Sequence, residues 1–426
     1  MTQYRDTVTP AAQAISGDER LFDTFDDFIA GYSPTLGTLS DACAAYDSGF
    51  VGVGGKQYYC DGVSLSDPRN AVAKFLPKWR AGLASVIAGT GNSRICCIGD
   101  STTAGTSSAG NGWVNARLAS YPNQLITLLN NMGIYANGGC AIGSGTPTDS
   151  QFLGYDPRWT FGSGWATNTV VTLGAGTINN NGAGALTAAN FTPAQEFDTI
   201  DIWYIQNSGY GTFTIGVDGG AAVGAAVSAA GTLSIQKATR TVTKGLHTLN
   251  ITKTVTGNIL ICGINTYDST KSRVDVFNCA RGGGKVADIS ADTNVWDPLK
   301  LLRIYAPDLS IIALTINDWI AATASGSFTT STQAIIAAAR ESGDVVLATG
   351  FPSKTTSASL ANQDAITAAL RPIAANMGLP LIDISQEWGL YTTALAAGYF
   401  APENDPVHPG PTGYAYMAQR VFESLF

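Results

Sequence analysis

Hydrophobic periodicity changes twice along this chain of 426 residues, and those two changes constrain its fold more than any other feature. From residue 272 onward, short apolar runs alternate with helix-period segments. They read RVDVFN, a Gly-rich turn, DLSIIAL, TQAIIAAARES, DVVLATG, ANQDAITAALRPIAANMG, LPLIDIS and GYAYMAQRVFESLF. Apolar runs too short for buried helices, separated by amphipathic stretches, predict parallel strands covered by helices on both faces. A fragment of the same kind occurs earlier: a strand over 94–98, a turn, and YPNQLITLLNNMG with Leu125, Leu128 and Leu129 on one helix face. Just before it, Val72, Phe75, Leu76, Trp79, Leu83 and Val86 recur at helical steps and predict an amphipathic helix over 70–88.

Between these two α/β portions the period is two. Residues 136–271 are rich in Gly, Thr, Asn and Ala, and they alternate in FDTIDIWYI, GTFTIGVDG, GTLSIQKATRTV, HTLNITKTV and NILICGINTY. Alternation of this kind predicts an antiparallel β-sandwich. With α/β text on both sides, the simplest organisation is an α/β domain over 89–135 and 272–426, interrupted after its first βα unit by a β module over 136–271. Residues 1–88 precede both as a segment with no assigned role.

Composition narrows the partners. A hydrophobic fraction of 45% with 13% charged residues suffices for packed cores. The net charge of −8 and pI near 4.8, without a Lys or Arg run, argue against nucleic acid and anionic membrane surfaces. No apolar stretch reaches the roughly 20 residues that span a bilayer. Met1–Ser16 lacks a basic start followed by an apolar run, so no signal peptide is expected there. The seven cysteines show no CxxC pair or zinc-type spacing and read as small buried hydrophobes, with Cys43 and Cys60 able to bridge in an oxidising setting.

Four short motifs carry chemistry, each at a strand or helix boundary. Gly99-Asp100-Ser101 follows a buried strand and precedes Gly105, placing Ser101 at a carboxyl strand end, where ligands bind in open parallel sheets. A Ser at that place also caps helices. Asp405-Pro406-Val407-His408-Pro409-Gly410 stands before the last helix. An Asp three residues ahead of a His, in a loop stiffened by prolines, folds back to accept the Nδ1 proton and leaves Nε2 to face a serine. Only two histidines occur in the chain. The other, His247, lies in an alternating strand with no carboxylate in local reach and reads as structural.

Thr315-Ile316-Asn317-Asp318 follows DLSIIAL, where an Asn amide donates to a developing oxyanion or simply caps a turn. In NCARGGGK, residues 278–285, three successive glycines permit a sharp turn that presents N–H groups to a ligand. No GxSxG occurs, which disfavours an α/β-hydrolase, and no GxxxxGK[ST] occurs, which disfavours a phosphate-binding loop.

Taken in order, Ser, Gly, Asn and Asp-His resemble the four blocks of the SGNH (GDSL) hydrolase family: GDSxxxG, an oxyanion Gly, GxND and DxxH. The match covers the α/β portion, about half the chain. The resemblance implies a flavodoxin-like three-layer α/β domain with a parallel sheet, interrupted here by a jelly-roll-like antiparallel sandwich. It implies Ser101 as nucleophile, His408 as its base and Asp405 as the group orienting that base. The oxyanion would be held by the Ser101 amide, by Gly283, five residues after Asn278, and by the Asn317 side chain, with Gly282 and Gly284 as substitutes for Gly283. Thr315 stands where the family has Gly, a change expected to narrow the pocket or shift the loop while leaving Asn317 in place.

The activity so implied is a serine esterase needing no metal or organic cofactor. Inserted β-sandwiches occur in carbohydrate esterases of this family, and the texture of the chain resembles phage tail or prophage carbohydrate esterases, for which secretion or virion attachment is the expected setting. An O-acetylated polysaccharide or oligosaccharide is therefore the expected substrate. Trp113 and Trp319 are the expected substrate-binding residues, and Trp159, Trp165, Trp203, Tyr204 and Tyr210 offer further rings of the kind sugars stack on, although rings on sandwich strands more often pack the core. The rivals are a general lipase or thioesterase on small acyl esters, and a catalytically silent glycan-binding or virion structural protein. The sequence carries no signal for oligomeric state.

Overall fold

The computed structural model describes residues 76–141, 148–168, 170, 172–174, 176–181, 187–254 and 257–426, together with the backbone pairing of five short strands between residues 14 and 66. The helix expected over 70–88 runs Pro77–Ile87 and buries Trp79, Leu83 and Val86. Its positions before residue 76, and the bridge considered between Cys43 and Cys60, lie outside the described residues.

The α/β domain is built on six parallel strands: β1 (Ser93–Gly99), β2 (Ala136–Ala141), β3 (Val274–Ala280), β4 (Leu309–Ala313), β5 (Asp344–Ala348) and β6 (Leu381–Ile382). Their order across the sheet is 2-3-1-4-5-6, with β1 paired in parallel to β3 on one side and β4 on the other. Every residue of β3 and β4 is buried. This is the signature of a sheet with helices on both faces. Because the chain goes from β1 out to β2 and back to β3, then crosses to β4, the strand order reverses at β1. The crevice at its carboxyl end is the topological switch point at which such sheets bind ligands.

One boundary differs from the sequence reading. Ala136–Ala141, assigned above to the inserted module, is β2, a parallel strand of the α/β sheet. Its text, ANGGCA, lacks the apolar character of a buried strand because a neighbour supplies the bulk. Gly139 pairs with Phe277 of β3, and a Cβ at Gly139 would stand 1.8 Å from that ring. A glycine here accommodates an aromatic side chain from the next strand.

The rest of the insertion forms an antiparallel β module of two sheets. One holds Val227–Ser228, Thr212–Val217, Leu249–Lys253, Ala188–Phe191 and Trp159–Phe161. The other is not separate from the hydrolase sheet. Ile259–Tyr267 pairs antiparallel with β2, and Phe197–Gln206 and Ser234–Gly245 follow outward, so that one eleven-stranded sheet runs through both parts. The module has its own core, in which Phe152, Trp159, Trp165, Phe191, Tyr204 and Phe213 pack together. Trp203 instead faces the α/β core, edge-on to Phe277 at 5.8 Å and to Tyr305 at 5.1 Å.

These placements favour core packing over stacking faces for most of the module's aromatics. Trp159, Trp165, Trp203 and Tyr204 are all buried. Large rings on inward positions of alternating strands supply most of the buried area a small sandwich needs, and here they are spent on packing.

Candidate active site

Three loops converge at the carboxyl end of β1. Ser101 opens the short helix Ser101–Ala104, capped by Asp100, whose Oδ1 accepts from the Thr102 amide at 2.8 Å and the Thr102 hydroxyl at 2.7 Å. Burial, the largest influence, raises the Asp100 carboxyl above its usual range despite those bonds. The helix ends at Gly105 with φ of +103°, a conformation that L side chains rarely adopt. Asn278 of β3 fixes the helix from behind, donating from Nδ2 to the Thr103 carbonyl at 3.1 Å.

The Ser101 hydroxyl meets His408 Nε2 at 2.8 Å across 307 positions of sequence. On the other side of the ring, Nδ1 stands 3.1 Å from both carboxylate oxygens of Asp405. Asp405 Oδ1 also accepts from the backbone amides of Val407 and His408, each at 2.8 Å. Burial pushes the Asp405 carboxyl up, but the hydrogen bond and charge of His408 and the two amides outweigh it and hold the group below the usual carboxylate range. Asp405 is thus an anion in place to hold the Nδ1–H tautomer.

The His408 loop is tied down through its backbone. Tyr391 donates its hydroxyl to the carbonyls of Asn404 at 3.2 Å and Asp405 at 3.0 Å, and the Lys354 amide donates to the Pro406 carbonyl at 2.8 Å. Glu403 accepts from the Gly112 amide at 2.6 Å, linking this loop to the segment after Ser101. Tyr414 on the last helix donates to the Thr106 carbonyl at 2.7 Å. Nothing in the sequence marks Tyr391 or Glu403 for these roles, because their partners are backbone groups brought near only by the fold.

The glycine turn after β3 lies beside Ser101. Ala280 pairs with Gly99, and the Arg281 amide donates to the Gly99 carbonyl at 2.8 Å. A β-turn closes from Gly284 N–H to the Arg281 carbonyl at 2.9 Å, with Gly283 exposed at φ of +70° in its third position. That position of such a turn favours glycine.

Asn317 reaches the same turn, donating from Nδ2 to the Gly284 carbonyl at 3.0 Å, and Asp318 accepts from the Val286 amide at 3.0 Å. The Asn317–Asp318 pair therefore clamps the glycine turn from the β4 side. Thr315 neither narrows the site nor displaces Asn317. Its hydroxyl is turned inward and accepts from the Gly350 amide at 2.8 Å, joining the loop after β4 to that after β5.

The two tryptophans expected at the substrate part company. The Trp319 ring is fully buried and presents no face for stacking, a correction that follows from its place on the inward side of the helix Ile316–Ile320. Trp113 is half-buried and packs edge-on against Tyr155 at 5.8 Å.

His247 is paired with a carboxylate 29 positions away in sequence. Its Nδ1 meets Asp218 at 2.6 Å, its Nε2 meets the Thr243 carbonyl at 2.8 Å, and these two bonds raise its pKa. Among the described residues no group of three or more His, Cys, Asp or Glu is arranged to hold a metal ion, and no helix is long and apolar enough to cross a membrane. Cys96, Cys97, Cys262 and Cys279 are free buried thiols.

With this geometry in place, comparison with known proteins locates the chain. Residues 266–416 match the GDSL-like Lipase/Acylhydrolase family. The matched span takes in Gly283, Asn317, Asp405 and His408, whereas Ser101, which follows β1, lies before it. A solved peptidoglycan O-acetylesterase shares the fold of both parts at a TM-score of 0.60 and 16% identity, over 82% of this chain and 95% of that one. Two other solved structures overlap less. One is an acetyl xylan esterase, 17% identical over 36% of this chain and 82% of that one, with a TM-score of 0.29. The other is an acetylxylan esterase from Geobacillus stearothermophilus, 15% identical over 37% and 74%, with a TM-score of 0.28. No curated protein matches the sequence.

Proposed function

We propose that the chain is a serine esterase that removes O-acetyl or other short acyl groups from a carbohydrate. The observation that carries the reading is the continuous relay from the Ser101 hydroxyl through His408 to the Asp405 carboxylate. His408 Nε2 takes the proton as Ser101 Oγ attacks the ester carbonyl carbon, and Asp405 stabilises the imidazolium that forms. The tetrahedral oxyanion is held by N–H donors of Ser101 and Gly283 and by the Asn317 amide, whose orientation the Gly284 carbonyl fixes. Collapse expels the sugar hydroxyl, protonated by His408, and leaves an acyl-serine. Water, deprotonated by the same imidazole, then releases the acid and restores Ser101.

The carbohydrate assignment draws on the GDSL-like family match and on the fold shared with an O-acetylesterase of peptidoglycan. Acetate release across a set of acetylated polysaccharides, set against p-nitrophenyl esters of increasing chain length, tests it. Release from glycans and from the acetyl ester alone is expected, whereas a preference for long chains would defeat the carbohydrate reading. Ser101→Ala should lower turnover by roughly 10⁴ or more with thermal stability retained, and undiminished turnover in that variant would refute the mechanism.

A further inference from the structure

A second concavity lies beside the His408 loop. It takes in about 480 Å³, a figure that includes the open solvent at its mouth, and is lined by Pro352, Leu360, Asp364, Arg371 and Tyr391 among others, with the buried Trp319 beneath. Its lining comes from the segments after β4, β5 and β6, the same edge of the sheet at which Ser101 follows β1. It shares a wall with the His408 loop, since Tyr391 donates to the Asp405 carbonyl, and Trp319 follows Asn317 by two residues.

We propose that this cleft is a subsite for a neutral sugar ring of the acylated glycan, adjacent to the ring whose ester reaches Ser101. The inference rests on the esterase reading and deepens it. Leu360 and Leu390, 44% and 54% exposed, flank the mouth with apolar surface of the kind the C–H face of a pyranose covers. Between them the lining is polar. Asp364 stands exposed, Ser385 and Thr367 add hydroxyls, and the Arg371 guanidinium is offset by Asp383, to which its Nε donates at 2.6 Å. With the Arg371 charge balanced and Asp364 added, the cleft repels anions. Its ionic lining also opposes a long acyl chain, whose burial would desolvate these groups without replacing their hydrogen bonds. A polyhydroxylated neutral ligand is the class that satisfies both surfaces.

Calorimetric titration of the Ser101→Ala protein with the hexamers of N-acetylglucosamine and of xylose tests the proposal. At least one hexamer should bind, and adding Asp364→Ala with Leu390→Ala should weaken its Kd tenfold or more. Both side chains are exposed, so the fold should survive, which circular dichroism verifies. Leu360→Ala alone should weaken binding in the same direction, while Leu246→Ala, exposed on the β module, should leave it unchanged. Binding undiminished by the cleft substitutions, or absent for both hexamers, overturns the subsite. Hydrolysis of p-nitrophenyl acetate by the protein with Ser101 intact tests the esterase reading separately.

Discussion

Asp405 accepts three hydrogen bonds from one stretch of four residues: the amides of Val407 and His408 and the imidazole Nδ1–H. An amide side chain in its place could still accept both backbone N–H groups at its one oxygen but would turn an N–H toward Nδ1 and favour the wrong imidazole tautomer. Asp405→Asn is therefore expected to lower kcat by about 10⁴ with little change in KM, measured on p-nitrophenyl acetate. The local part of this arrangement was legible in the sequence, because Asp and His three residues apart need only a turn to meet. Ser101 was legible through its place after a buried strand. Thr315 was not, since its partner is the backbone amide of Gly350, 35 positions on, and a hydroxyl seeking a main-chain donor leaves no pattern. Trp319 misled for a related reason: nearness in sequence to Asn317 says nothing about which way a ring faces.

At the scale of elements, the hairpin region around His247 carries a pH-dependent tie. Both ring nitrogens face acceptors, the Asp218 carboxylate and the Thr243 carbonyl, so both bonds are satisfied only by the imidazolium. The bond to Asp218 and then that to Thr243 raise the His247 pKa, while the amide of Thr248 and then His247 lower that of Asp218. The His247 contribution is fully present below its unfolded pKa of about 6.5 and fades as pH rises through the raised folded value. The Asp218 contribution is present above about 3.9 and fades as pH falls through the lowered one. The Tm difference between the parent and His247→Gln should thus be largest near pH 5 to 6 and shrink at pH 9. An equal difference at both would show that the imidazolium is not involved. Sequence alone could not supply Asp218, because the pairing spans 29 positions and depends on strand register. The same limit hid β2, whose glycines are explained only once Phe277 lies across them.

At the scale of the molecule, the two parts meet in polar contacts as well as in the shared sheet. Buried Asp156, entering from the module side, accepts from Arg158 at 2.7 Å through two bonds and stands 3.3 Å from the Arg117 guanidinium, which also donates to Gly139 of β2 at 3.0 Å. Burial would raise the Asp156 pKa, but the two arginines prevail and lower it. Asp156→Ala removes the buried carboxylate that Arg158 and Arg117 share and should cost about 3–5 kcal/mol in chemical denaturation. The α/β alternation and the period-two block were readable because each is a local hydrophobic pattern. Their fusion was not, since Gly263 against Ala141 and Ile264 against Cys140 is a register between residues more than a hundred positions apart. That fusion has a mechanical consequence. A backbone ladder joins the accessory part to β2 of the α/β sheet where a tether would have left a joint. The accessory part therefore has no axis about which to swing, and whatever it contributes to binding must already be in position before a ligand arrives.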